Sequence, residues 1–258
     1  MSAAAAPRLI VTRPAAQAGA AVVQLRARGI DAVAVPLIEI VPMADATPIA
    51  AAWAALSTRR LVVFVSANAV LRFFAARPAG LTWPASTFAA APGPGTADAL
   101  RAEGVADASI IEPGADAAQF DSEALWERLR THDWLGARVV VVRGEAGREW
   151  LGDCLAAAGA EVQTLAAYER AAPVLSAEAR RIVDAAASEP GSWVWLFSSS
   201  EAIGNLELLA GSGRWTAARA MATHPRIAAR ARQAGFVDVR EVEPGLVAVV
   251  ACIQSMRP

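Results

Sequence analysis

A chain of 258 residues, 55% hydrophobic and 19% charged, can bury one large core or two ordinary ones and carries no disorder signature. Its net charge of −1 speaks against a general nucleic-acid binder, and no apolar run is long enough to span a membrane. All 24 basic residues are arginine, which excludes lysine Schiff-base chemistry and the lysine of a phosphate loop.

In chain order, apolar β-prone runs occur at RLIVT (8–12), DAVAVPLIEIV (31–41), RLVVFVS (60–66), RVVVV (138–142) and WVWLFS (193–198), and again near the C-terminus. Alanine- and arginine-rich segments of helical spacing separate them, several closing on a glycine: Gly29, Gly104, Gly159 and Gly235. Strands alternating with helices of this length predict parallel sheets covered on both faces and joined by right-handed crossovers. The first residues, MSAAAAPRLIV, lack the basic region of an export signal, and Cys154 and Cys252 have neither metal-ligand nor redox-motif spacing. The expectation is a reduced, cytoplasmic protein.

The chain also echoes itself. LIVTRPAAQAGAAVVQLRARGI (9–30) aligns with VVVRGEAGREWLGDCLAAAGA (140–160), pairing Arg13 with Arg143 and Gly29 with Gly159, each 130 residues apart. FVSANAV (64–70) echoes FSSSEAI (197–203), with Ser66 against Ser199 at an offset of 133. APGPGTADALRAEGV (91–105) echoes ATHPRIAARARQAGF (222–236), with Pro94 against Pro225 at an offset of 131. Three segments agreeing on nearly one offset predict a two-lobed pseudo-duplication. Its boundary has two readings. VPLIEIVP (35–42) and LAAYERAAP (165–173) can pair where the chain leaves one lobe and later returns, or the lobes divide by a plain cut at about residue 130.

Each predicted strand-to-helix turn carries small or polar residues: Thr12-Arg13-Pro14, Ser66-Ala67-Asn68, Gly93 through Gly95 to Thr96, Arg143-Gly144, Ser198-Ser199-Ser200 and Thr223-His224-Pro225-Arg226. In open α/β sheets such turns line the crevice at the carboxyl ends of strands. Hydroxyls and free N–H groups there hold carboxylate or phosphate by hydrogen bonds. Helix capping explains any one of these turns taken singly. Their repetition in both halves, with Arg13, Arg143, Arg148 and Arg226 alongside, favours an anion site. The serine run 198–200 lacks a nucleophile elbow, His132 reads as a solvated helix-end residue, and APGPGTAD lacks the third glycine of a dinucleotide fingerprint. The one tyrosine, Tyr168, reads either as amphipathic packing at a boundary or as a phenol that gives a proton to a leaving hydroxyl, directly or through water.

VTRP (11–14), FVSANAV (64–70), APGPGTADALRAEG (91–104), VRGEAGREWLGDCLAAAGAEVQTLAAYER (142–170), FSSSEAI (197–203) and ATHPRIAARARQAGF (222–236) together resemble the uroporphyrinogen-III synthase family, in its order and over essentially the whole chain. The resemblance implies an α/β fold of two flavodoxin-like lobes with parallel sheets, joined by a two-stranded β ladder. One discontinuous lobe would hold residues 1–37 plus 171–258, the other 38–170, with the substrate cleft between them. It implies cyclisation of the linear tetrapyrrole hydroxymethylbilane, with inversion of ring D and loss of water, without metal or organic cofactor. The enzyme would be a monomer in transient contact with the enzyme of the preceding step. Tyr168 matches the family's tyrosine as the candidate for assisting hydroxyl departure, Thr96 its first-lobe threonine, and Ser66 and Ser199 the serines of its FTS-type turns. Some members carry two threonines after the last motif's proline; here stand Arg226 and Ile227, so Arg226 can pair with a substrate carboxylate instead.

The physical reading fits this chemistry. A bilane carries many carboxylates, and its azafulvene intermediate can close unaided into the wrong isomer. Holding the substituted ring-D carbon at the attacking position is then the main task, and it needs shape and donors more than a strong acid. The expected binding set is Thr12, Arg13, Ser66, Ala67, Asn68, Gly93, Gly95, Thr96, Arg143, Gly144, Ser198, Ser199, Ser200, His224 and Arg226. The competing reading is a non-catalytic two-lobed binding protein for a small anionic ligand. A sugar-phosphate or nucleotide enzyme is a third, opposed by the absent lysine and the weak glycine pattern.

Overall fold

The computed structural model describes residues 6–114, 117 and 119–256; residues 1–5, on which part of the export-signal expectation rests, lie outside them. In chain order the elements are β1 (Arg8–Val11), α1 (Ala15–Arg26), β2 (Ala32–Ala34), β3 (Glu39–Pro42), α2 (Thr47–Ala54), β4 (Leu61–Phe64), α3 (Ala67–Ala75), β5 (Phe88–Ala90), α4 (Pro94–Ala102), β6 (Ile110–Ile111) and α5 (Ser122–Leu129). There follow β7 (Arg138–Gly144), α6 (Trp150–Ala157), β8 (Glu161–Ala171), α7 (Ala177–Ser188), β9 (Trp193–Phe197), α8 (Ser200–Ala210), β10 (Arg219–Ala222), α9 (Pro225–Gln233), β11 (Asp238–Glu241) and α10 (Leu246–Ser255). This is an α/β fold with parallel sheets. No described helix is long and apolar enough to cross a membrane.

Two compact units form, one from Met1–Glu39 with Ala171–Pro258 and one from Ile40–Arg170. The first holds a five-stranded sheet in the order β11-β10-β9-β1-β2, every pair parallel. Counted in chain order its strands run 2-1-3-4-5, the flavodoxin-type order. Side chains alternate across this sheet. Leu9, Val11, Val194 and Leu196 bury one face with α1 and α10 residues such as Val22 and Ile253. On the central strand β9, Trp195 stacks on Phe197 and meets Trp215 edge-on, and Phe236 completes that aromatic cluster.

The second unit holds a six-stranded sheet in the order β3-β8-β7-β4-β5-β6, parallel from β8 to β6. Val62, Phe64, Val140 and Val142 pack with Trp53, Phe73 and Leu100, while Leu61, Val63, Val139 and Val141 pack with Leu125, Trp134 and Leu155. Both faces are therefore covered by helices, which is why these strands read as unbroken apolar runs rather than alternating ones. At about 25 cal/mol per Å², such two-sided burial is the main force holding each sheet.

Glycines end the helices where the sequence places them. Gly29, Gly104, Gly159 and Gly235 sit at φ of 75°, 88°, 94° and 101°, the left-handed conformation that terminates a helix without Cβ strain. One apolar run divides instead of forming a single strand. Within DAVAVPLIEIV, Ala32–Ala34 joins the first sheet and Glu39–Pro42 the second, because Pro36 has no N–H to carry the ladder through. The last bonds to the first sheet are Val35 N–H to the Val11 carbonyl and Leu37 N–H to the Thr12 carbonyl.

Candidate functional site

Parallel sheets bind ligands beyond the carboxyl ends of their strands, where consecutive crossovers depart in opposite directions. The first unit has that point between β1 and β9: α1 carries the chain to β2 on one side, while α8 and α9 carry it to β10 and β11 on the other. Thr12 and Arg13 follow β1, Ser198–Ser200 follow β9, and Thr223 and His224 follow β10.

These residues have divided duties. Thr12 is buried and its Oγ1 donates to the Leu196 carbonyl at 2.7 Å, so the hydroxyl seals the two strand ends rather than facing a ligand. Ser199 Oγ accepts the Glu201 N–H at 3.2 Å and caps α8, with Ser198 and Ser200 half-buried beside it. His224 Nδ1 accepts the Arg226 N–H at 3.1 Å and caps α9, while Arg226 itself is exposed in that helix's first turn. A cation at a helix N-terminus opposes the helix dipole, so an arriving anion would relieve it. Arg13 is half-buried, and burial alone pushes its guanidinium below the usual arginine range. Among the described residues no carboxylate or carbonyl pairs with it. A desolvated cation without a counter-charge favours an incoming carboxylate.

In the second unit the corresponding point lies between β7 and β4. Arg143 is the next-to-last residue of β7, its charge already committed: Nη1 donates to the Gly147 carbonyl at 3.0 Å and Nη2 to Glu149 Oε1 at 2.9 Å. Its buried Nε has no partner among the described residues. Arg148 is likewise paired, with Glu123 at 2.6 Å. Gly93 precedes α4 with extended backbone, and its lack of a side chain serves packing, since a Cβ there would meet Phe120 Cβ at 3.0 Å. Gly95 has open space around it and Thr96 is buried in the same turn, and no side chain caps α4.

Tyr168 lies on β8 opposite Gly144, where the ladder is irregular. Its ring packs onto the Gly144 backbone so closely that a Cβ there would meet Cε2 at 3.0 Å and Cζ at 3.1 Å. Crossing over β7 in this way brings the phenol to Ser66, with Tyr168 O–H and Ser66 Oγ 3.0 Å apart. Ser66 also accepts the Ala69 N–H at 3.2 Å and so caps α3, with Ala67 and Asn68 half-buried in that helix's first turn. Tyr168 itself is 0% exposed.

Arg170 is the site residue that the sequence reading does not single out. Its Nη2 lies 3.5 Å from the phenol oxygen, and its guanidinium 5.9 Å from the ring centroid. The available signal was the two-residue spacing of Tyr168 and Arg170, which puts both on one face of a strand. Among the described residues no group of three or more His, Cys, Asp or Glu side chains could hold a metal ion.

A family model described as Uroporphyrinogen-III synthase HemD matches residues 20–246. The chain is 35% identical over 165 residues to the uroporphyrinogen-III synthase of Salmonella typhimurium, and 34% identical over 167 residues to that of Escherichia coli. Each alignment covers 64% of this chain and 65% of the relative's length. Among solved structures, a mutant uroporphyrinogen III synthase from Thermus thermophilus superposes with a TM-score of 0.58 at 17% identity, over 97% of this chain and 98% of that one. The Helicobacter pylori uroporphyrinogen-III synthetase gives 0.56 at 15% identity, over 97% of this chain and 100% of that one. The two structures share the α/β fold; the sequence match, running through the Ser66 turn, Gly144 and Tyr168, places the chain in the HemD uroporphyrinogen-III synthase family.

Proposed function

We propose that this chain cyclises hydroxymethylbilane to uroporphyrinogen III, inverting ring D and releasing one water. The observation that carries the reading is the Tyr168–Ser66 pair seated on Gly144 at a parallel-sheet switch point, in a chain with this family match. The reaction is redox-neutral. It asks for a proton on the departing hydroxyl and a fixed placement of the ring-D carbon, and neither needs a metal or an organic cofactor. Tyr168 supplies that proton, directly or through a neighbouring group. The carboxylates of the bilane are held by Arg13, Ser198, Ser199, Ser200, His224 and Arg226, and by the turns at Ala67, Asn68, Gly93, Gly95, Thr96 and Gly144; Arg143, whose guanidinium the Gly147 carbonyl and Glu149 already take, contributes less, and Ser66 serves the proton path. The half-buried charge of Arg13, unpaired among the described residues, supports this assignment most directly.

We read the two units as lobes of a pseudo-duplication, bounded at residues 1–37 with 171–258 and at 38–170. The strand orders β2-β1-β9-β10-β11 and β8-β7-β4-β5-β6 support it, because the sequence offsets carry β1 onto β7 and β10 onto β5. The placement of β3 beside β8 supports a two-stranded ladder there. The enzyme would act as a cytoplasmic monomer, in transient contact with the enzyme that supplies its unstable bilane. Incubating the purified protein with hydroxymethylbilane, oxidising the products and separating the porphyrin isomers tests the reading. Isomer III is expected. Isomer I alone, with carboxylate-induced stabilisation, would leave an anion-binding protein in its place.

A further inference from the structure

We propose that the proton reaching the departing hydroxyl comes off Ser66 Oγ, and that Tyr168 stands behind it and refills the serine. This rests on the cyclase reading above. Tyr168 is 0% exposed, so its phenol meets the outside only through a neighbour. Among the described residues the phenol oxygen has two polar neighbours, Ser66 Oγ at 3.0 Å and Arg170 Nη2 at 3.5 Å. A guanidinium only donates, so the phenol proton is directed to Ser66 Oγ. Ser66 Oγ also accepts the Ala69 N–H at 3.2 Å. With both lone pairs engaged, the serine's own proton points away from both partners. Ser66 is half-buried at the mouth of the switch point, and the absent side chain at Gly144 lets the ring lie close enough to reach it.

The step balances without a further reactant. The hydroxymethyl C–O bond breaks with its electron pair on oxygen, the Ser66 proton moves to that oxygen, and water leaves. The pyrrole nitrogen's pair fills the vacated carbon. The Tyr168 proton moves to Ser66 Oγ, and the phenolate faces the Arg170 guanidinium. When the attacked pyrrole re-aromatises after ring closure, the proton it loses returns along the same path.

Four full-length variants test the relay: Ser66→Gly, Ser66→Thr, Tyr168→Phe and the Ser66→Gly/Tyr168→Phe double. Glycine is tolerated at a helix N-cap at a cost of a few tenths of a kcal/mol, so it removes the hydroxyl while α3 stays formed, and thermal melting checks that. Ser66→Gly and Tyr168→Phe should each lower kcat by about ten- to hundredfold with KM changed less than about threefold. The double variant should be no slower than the slower single, because both cut one path. Ser66→Thr should recover most of the rate. In mixtures of H2O and D2O the wild-type rate should fall along a curve, the mark of two protons in flight, and Tyr168→Phe should straighten it. A Ser66→Gly enzyme with wild-type kcat beside a slow Tyr168→Phe would overturn the relay and make the phenol the direct donor. Losses that multiply in the double variant would also overturn it. A wild-type enzyme yielding only isomer I fails the cyclase reading instead, so the two failures are distinct.

Discussion

Arg13 and Arg143 stand at matching stations in two sheets, each at the carboxyl end of a strand that flanks a switch point, yet among the described residues only Arg143 is paired. Arg143 is followed by GEAGRE (144–149), whose Gly147 carbonyl and Glu149 carboxylate take its guanidinium. Arg13 is followed by PAAQAG (14–19), which contains no acid, and burial depresses its pKa with no opposing charge. The hydroxyls differ in the same way. In the first unit Ser199 Oγ caps α8, while in the second its repeat partner Ser66 caps α3 and is also met by a phenol. Repetition in a sequence thus preserves where a residue stands. What it does there depends on its surroundings, the next six residues for Arg143 and a strand about a hundred residues on for Ser66.

Gly144 offers the strongest way to break this asymmetry. A valine there must displace the Tyr168 ring, which an added Cβ would already meet at 3.0 Å. Overpacking of this kind costs about 1–3 kcal/mol. Moving the phenol off Ser66 should lower kcat by up to about a hundredfold, the upper end of the loss expected for Tyr168→Phe. Comparing kcat of the folded fraction with the melting temperature separates the two effects. A Gly144→Val enzyme of normal kcat would show that the close seating of the ring is incidental.

The arginine pair sharpens the comparison next. Arg13→Ala should raise KM for the bilane about tenfold or more, the scale of one lost charged hydrogen bond. Its melting temperature should hold or rise, since a desolvated unpaired cation has been removed. Arg143→Ala should do the reverse, raising KM less than about threefold and lowering stability by about 1 kcal/mol as the 144–149 loop loses its tie. Equal KM effects from the two would restore the symmetry that the repeat suggests.

Much of this was legible before the fold was seen, for identifiable reasons. Strands β4, β7 and β9 are β-branched or aromatic and buried on both faces, so they announce themselves. FAA in β5 and RAMA in β10 do not. Ala89, Ala90, Ala220 and Ala222 are fully buried, but alanine is the best helix former, and only packing against β4 and β9 makes these strands. The turns were legible through their repetition, and the capping explanation was sound as well: Ser66, Ser199 and His224 each cap a helix. The burial of Tyr168 was not legible, because it follows from an irregular register opposite one glycine. Arg170 carries no motif of its own; only its two-residue spacing from Tyr168 places it on the same strand face.

Thr12 gives the smallest expected effect on activity and isolates the structural half of the comparison. Its hydroxyl lies inside the first sheet and donates to the Leu196 carbonyl at 2.7 Å, joining the ends of β1 and β9. Valine has nearly the same shape, so Thr12→Val removes the donor without opening a cavity and leaves the carbonyl buried and unpaired. That penalty is about 1–3 kcal/mol. Serine keeps the donor but loses one buried methyl, which costs about 1 kcal/mol. Urea unfolding should therefore find both variants less stable than the wild type, with Val below Ser. KM should stay within about twofold for both, because the hydroxyl is turned inward. A KM increase for Thr12→Val comparable to that of Arg13→Ala would mean that Thr12 reaches the substrate after all, and that the first unit presents its strand ends as the second presents Ser66.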